Sequence, residues 1–155
     1  MGFTPQFKPE ELYISPFISR RVYDEDGNIS YQPLERNLNP TGIHLLDEFL
    51  QEITAGLDSQ APFCHRRGIS SAHLSGFVQL LTGLSAKELR LTLALLLADD
   101  LLRYTSLTLA QIAKRSGLGT NVNLCYLFQS RYGCTPLDRK RSLRKGGDVG
   151  KFRLK

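Results

Sequence analysis

The chain has 155 residues, three cysteines and a formal net charge of +5, enough for one ordinary domain or two very small ones. Three cysteines make no disulfide framework, and the greasiest stretch, 89–97, stops at Asp99-Asp100, far short of the roughly twenty apolar residues that cross a bilayer. Residues 1–60 carry four bases and ten acids, a net of −6, whereas residues 61–155 carry sixteen bases and five acids, a net of +11, the footprint of a phosphate binder in the second part only.

In chain order, residues 1–40 are rich in Pro, charge and aromatic residues and lack a helical period. Within them, 18–23 and 29–34 flank Asp24-Glu25-Asp26-Gly27-Asn28, which reads as a short β-hairpin turning near Asp26-Gly27. An isolated two-stranded ribbon is marginal in water, so hairpin and disorder both stay open. A helix is expected from about Asn39-Pro40-Thr41, with Ile43, Leu46, Leu50, Ile53 and Leu57 on one face and Asp47, Glu48 and Glu52 pointing away from it. A short helix over 60–67 follows, tolerating Pro62 in its first turn. Gly68 ends it, and Ser70 or Ser71 caps the next helix, which runs to about Thr82.

Ser85-Ala86-Lys87-Glu88 is a capping box opening a Leu-rich helix to about Tyr104. Its leucines fall on nearly every face, so it must be covered on several sides, as a connector between two bundles would be. Thr108-Leu109-Ala110-Gln111 is a second capping box, opening a helix through Ile112 and Ala113 to Ser116. Thr120 caps the next, which carries Leu124, Leu127 and Phe128 inward and stops at Gly133. Pro136 starts a last short helix, and after Arg144 the Gly146-Gly147 pair releases a basic tail.

One pattern occurs twice. Gly68-Ile69-Ser70 leads to Leu74, Val78 and Thr82-Gly83, and Gly117-Leu118-Gly119-Thr120 leads to Leu124, Phe128 and Tyr132-Gly133. Each copy has a Gly, a hydroxyl two or three positions on, and apolar residues four and eight beyond the hydroxyl. A first helix, a Gly turn, an N-cap hydroxyl and a second helix describe a helix-turn-helix. Two such units on a basic chain point to double-stranded DNA.

The order of these pieces from about Ile43 to Arg141 resembles the AraC/XylS-type DNA-binding domain. The resemblance is carried by Ile112-Ala113, Gly117-Leu118, Leu124, Phe128, Tyr132-Gly133 and Pro136 in the second unit, and by Gly68, Ser70, Leu74, Val78, Thr82-Gly83 and Ser85 in the first. It implies an all-α fold of two helix-turn-helix subdomains joined by one long helix. The divisions expected are a 1–40 extension, a first subdomain over 41–84, a connector over 85–104, a second subdomain over 105–145 and a tail over 146–155. The chain departs from the family pattern at Leu93, Asp99, Leu124 and Arg139-Lys140, which makes it a divergent member. Some forty leading residues are too few for the β-barrel that commonly precedes this module, so a short, stand-alone member is expected.

The resemblance implies a transcriptional regulator that sets recognition helices into the major groove. In the second helix Thr120, Asn121, Asn123, Tyr126 and Gln129 are candidate base readers, because Asn pairs with adenine edges and Thr serves bases or phosphates. The first helix offers Ser71, His73 and Ser75, short or neutral side chains that suit either shape readout or a packing scaffold. Arg66, Arg67, Lys114, Arg115, Arg131, Arg139, Lys140 and Arg141 are candidate phosphate contacts, with a solvated basic face as the alternative.

No catalytic constellation is evident, and no cofactor or metal is expected, since Cys64-His65 and His73 lack a metal-ligand spacing. Double-stranded DNA is the expected partner, with RNA polymerase or another DNA-bound protein as a further candidate. A monomer or weak dimer in the cytoplasm, without a membrane, fits the cysteine usage and the lack of a secretory signal. Two alternatives stand beside the regulator: an architectural accessory factor for excision or recombination, and a protein-interaction module that has lost DNA binding.

Overall fold

The computed structural model describes residues 5–13, 19–23, 25–33, 41–105 and 107–144. The basic tail, and Ile18, Asp24 and Leu34 of the expected hairpin, lie outside the described residues. The seven helices described are α1 (His44–Thr54), α2 (Ala61–Arg67), α3 (Ser71–Thr82), α4 (Ala86–Tyr104), α5 (Leu109–Ser116), α6 (Asn121–Tyr132) and α7 (Pro136–Arg144). A hairpin precedes them: β1 (Ser19–Tyr23) pairs antiparallel with β2 (Ile29–Pro33), Arg21 opposite Tyr31.

Local chemistry sets the helix boundaries. Ser85 Oγ accepts from the Glu88 N–H at 3.2 Å while Glu88 Oε1 accepts from the Ser85 N–H at 3.3 Å, so α4 starts on a complete capping box. Thr108 and Gln111 repeat the exchange at 3.2 and 2.9 Å at the start of α5. Helix α1 begins differently. Its N-cap position is Ile43, which has no capping side chain, and Thr41 donates its N–H and hydroxyl to Asp47 Oδ1 at 3.0 and 2.7 Å. Asp47, placed on the outward face by the helical period, is therefore 2% exposed. A carboxylate in the first turn, accepting two hydrogen bonds and beside the positive end of the helix, tolerates burial.

The buried side chains form two clusters that share α4. The first gathers Leu46, Phe49, Leu50 and Ile53 of α1, Phe63 of α2, Leu74 and Val78 of α3, and Leu89 and Leu93 of α4. The second gathers Leu97, Leu101 and Leu102 of α4 with Ile112, Leu124 and Phe128. The N-terminal half of α4 thus serves one lobe and its C-terminal half the other, which is why its leucines follow no single stripe.

Residues 5–13 join the lobes on the surface of this core. The Phe7 N–H donates to Leu81 O at 3.0 Å, at the end of α3. A single 3₁₀ turn, Pro9–Leu12, then buries Leu12 in the first cluster. Tyr13 packs against both clusters and donates its hydroxyl to Asp100 Oδ2 at 2.6 Å. One turn of helix is too short to show a period, so this brace left no trace in the hydropathy pattern.

Candidate nucleic-acid interface

Helices α2 and α3 meet at a turn in which Gly68 adopts a left-handed φ of 68°, and Ser70 Oγ accepts from the His73 N–H at 3.1 Å. Helices α5 and α6 meet at a turn in which Gly117 and Gly119 have φ of 83° and 87°, and Thr120 Oγ1 accepts from the Asn123 N–H at 3.1 Å. The two units superpose in sequence at a constant offset. Adding fifty to Ser70, Leu74, Val78 and Gly83 gives Thr120, Leu124, Phe128 and Gly133, the matching cap, core pair and C-terminal glycine. Each second helix therefore packs one face inward and presents the opposite face to solvent.

On α6 that outer face carries Val122, Tyr126 and Gln129, with Val122 79% and Tyr126 71% exposed. Asn121 is exposed, and its Oδ1 accepts a weak hydrogen bond from Cys125 Sγ at 3.4 Å. Asn123 is exposed as well, but its Nδ2 donates back to Leu118 O at 2.8 Å and braces the turn. On α3 the same positions are Ala72, Gly76 and Gln79. A shallow hollow of about 400 Å³ lies there, lined by Gly76, Gln79, Leu80 and Gly83. Ser71 and His73 are exposed at the start of α3, and Ser75 is half-buried.

Four of the candidate basic residues stand beside a carboxylate. Arg66 pairs with Glu52 and Arg67 with Glu48, so α1 carboxylates hold both α2 arginines. Arg139 makes a two-pronged pair with Asp99 at 2.9 and 3.2 Å, and this hydrogen bonding raises its pKa from the ordinary value. Arg131 lies 3.8 Å from Glu10. Lys114, Arg115 and Arg141 are exposed, and Lys140 is half-buried. Asp99 and Asp100 are thus structural anchors for α7 and for the N-terminal brace.

The lobes also touch directly. The α1–α2 loop lies against the second turn so closely that a Cβ on Gly117 would come within 2.4 Å of Leu57 O. Arg90 of α4, 8% exposed, donates from Nη1 to Gly117 O at 3.3 Å. Burial pulls its pKa down, and the nearby Asp58 charge opposes that shift. Sequence reasoning missed Arg90 and Val122, because a long-range backbone contact has no local signature and an apolar residue in a helix reads as core.

Two capped, outward-facing second helices on one spine define a double helix-turn-helix module. Residues 63–142, more than half of the chain, match a family model described as "Helix-turn-helix domain". The chain belongs to this family of AraC-type helix-turn-helix domains, the DNA-binding part of transcriptional regulators. Its fold is similar to the C-terminal domain of AraT, a response regulator from Geobacillus stearothermophilus, with a TM-score of 0.57 and 22% identity over 63% of this chain and 84% of that one. The C-terminal domain of the two-component response regulator yesN from Fusobacterium nucleatum gives a TM-score of 0.56 and 20% identity over 63% and 94%. An AraC-type transcriptional regulator from Chromobacterium violaceum gives 0.55 and 20% over 64% and 92%. No curated protein sequence matches the chain. Among the described residues, no helix is long and apolar enough to cross a membrane.

Proposed function

We propose that this protein binds specific sites on double-stranded DNA as a cytoplasmic transcriptional regulator, reading successive major-groove faces with α3 and α6. The observation that carries this reading is the fifty-residue repeat of cap, core pair and terminal glycine, displayed twice on one spine. The nineteen residues of α4 span about 28 Å at ~1.5 Å per residue, close to the ~34 Å between major-groove faces on one side of a duplex. A single protomer, lobes 41–84 and 105–145, then spans one helical turn of DNA.

In this reading Asn121, Asn123, Tyr126 and Gln129 meet base edges from α6, and Thr120 holds its first turn. Ser71, His73 and Ser75 approach the backbone from α3. Lys114, Arg115, Lys140 and Arg141 neutralise phosphates, and Arg66, Arg67, Arg131 and Arg139 do so where their carboxylate partners exchange for DNA. The bare outer face of α3, Ala72 and Gly76, favours a second reading, an architectural factor that bends DNA by shape alone. Selection of bound fragments from a random genomic library separates them: promoter-proximal motifs support the regulator, mobile-element ends the architectural factor. A gel shift across a salt series tests both, since a chain that retains no duplex at low salt does not act on DNA.

A further inference from the structure

We infer that the two reading helices are unequal, α6 recognising the 5-methyl groups of thymine through Val122 and Tyr126 while α3 has no large side chain at either matching position. This rests on the DNA-reading function proposed above and specifies the site it selects. Large apolar side chains gain from burial, yet Val122 and Tyr126 stand 79% and 71% exposed one turn apart on the face opposite Leu124 and Phe128. Asn121, Gln129 and Ser130 are exposed on the same helix, and α5, which packs against α6, exposes Lys114 and Arg115; exposed polar and basic residues suit a polyanion. In the major groove of duplex DNA the one apolar group large enough to fill a side-chain contact is the thymine methyl; the other groups that tell the base pairs apart are hydrogen-bond donors and acceptors.

The amides that would compete for adenine are partly committed. Asn123 is tied by Nδ2 to Leu118 O at 2.8 Å, and Asn121 Oδ1 accepts from Cys125 Sγ at 3.4 Å. At the positions fifty residues earlier α3 has Ala72 and Gly76. Where Tyr126 projects from α6, a Cβ on Gly76 would meet open space, and the 400 Å³ hollow begins. At these two positions α3 lacks the large apolar side chains with which α6 would meet thymine. The target is therefore a lopsided site, with thymine required opposite α6 and sequence tolerated one helical turn away.

The test uses the full chain and duplexes enriched from a random pool. Information is expected in one half of the enriched site, with thymine in it. Replacing those thymidines one at a time with deoxyuridine, which removes only the methyl, is expected to weaken binding about four-fold at the contacted position, the equivalent of one buried methyl(ene). Val122→Ala or Tyr126→Ala is expected to bring the thymidine-to-deoxyuridine ratio to about one, and both side chains are exposed enough that folding is unaffected. A site-selective protein whose ratio is already one, or whose ratio survives both substitutions, overturns the inference but leaves DNA reading intact. Equal information in both halves overturns the asymmetry. Failure to retain any duplex at low salt overturns the DNA-reading function and this inference together.

Discussion

Gly56 and Gly117 face each other across the seam between the two lobes, one in the loop after α1 and the other at the end of α5. A Cβ on Gly56 would meet Arg115 O at 2.8 Å, and one on Gly117 would meet Leu57 O at 2.4 Å. Both glycines have positive φ, 96° and 83°, so conformation and space exclude a side chain independently. Backbone packed on backbone fixes the lobes more firmly than side chains would, because there is no rotamer to yield.

Gly117→Ala is accordingly expected to destabilise the fold by about 2–4 kcal/mol, combining left-handed strain with overpacking. Gly119→Ala is the control. Its φ is 87° but its Cβ would meet nothing within 4 Å, so only about 1–2 kcal/mol of strain is expected there. Urea unfolding of the two variants measures the difference, which is the contribution of the seam.

The N-terminal brace contributes to the same rigidity. Leu12→Ala removes a side chain buried in the first cluster and is expected to cost about 2–4 kcal/mol. Tyr13→Phe deletes the hydroxyl bonded to Asp100 at 2.6 Å and is expected to cost about 1–3 kcal/mol, as for a hydrogen bond to a charged group. Thermal unfolding checks both; unchanged midpoints would mean that residues 5–13 are not part of the folded unit.

Alkaline pH should loosen the second lobe. Burial pushes the Tyr132 phenol above its ordinary pKa, and the Asp99 charge adds to this, while Arg131 and Arg139 oppose it. The unfolded chain therefore loses this proton first as pH rises through ~10, so the folded state binds more protons and its stability falls. The contribution is complete below the unfolded value and is lost as pH climbs through the folded one. Tyr132→Phe is expected to flatten this alkaline limb in a pH series of urea midpoints.

Salt dependence separates the cations. Lys114→Ala is expected to reduce the slope of log affinity against log salt by about one. Arg131→Ala should reduce it less, because Glu10 stands 3.8 Å away, and Glu10→Gln should steepen it.

Features determined within a few residues were legible in the sequence. The capping boxes at Ser85 and Thr108, the hydroxyl caps at Ser70 and Thr120 and the glycine stops at Gly68, Gly83, Gly117 and Gly133 all stand where spacing put them, because caps and turns are local chemistry. Features made by distant partners were not. Asp47 was placed outward because helical period cannot register Thr41 reaching back over the first turn. The bond between Asp99 and Arg139 joins residues forty apart in the chain, a pairing without a local signature. On the outer face of α6, Tyr126 and Gln129 were recognisable as polar or aromatic outward residues. Val122 was not, since only its equivalence to Ala72 on the exposed face distinguishes it from core.

One protomer is expected to hold α3 and α6 in register on adjacent turns of a duplex, and hydroxyl-radical footprinting of the full chain on an enriched site, at one protomer per duplex, checks this. Two protected patches on one face of the DNA, centred about 10 base pairs apart, are the expected result. A single patch, or two whose spacing shifts freely between sites, would contradict it.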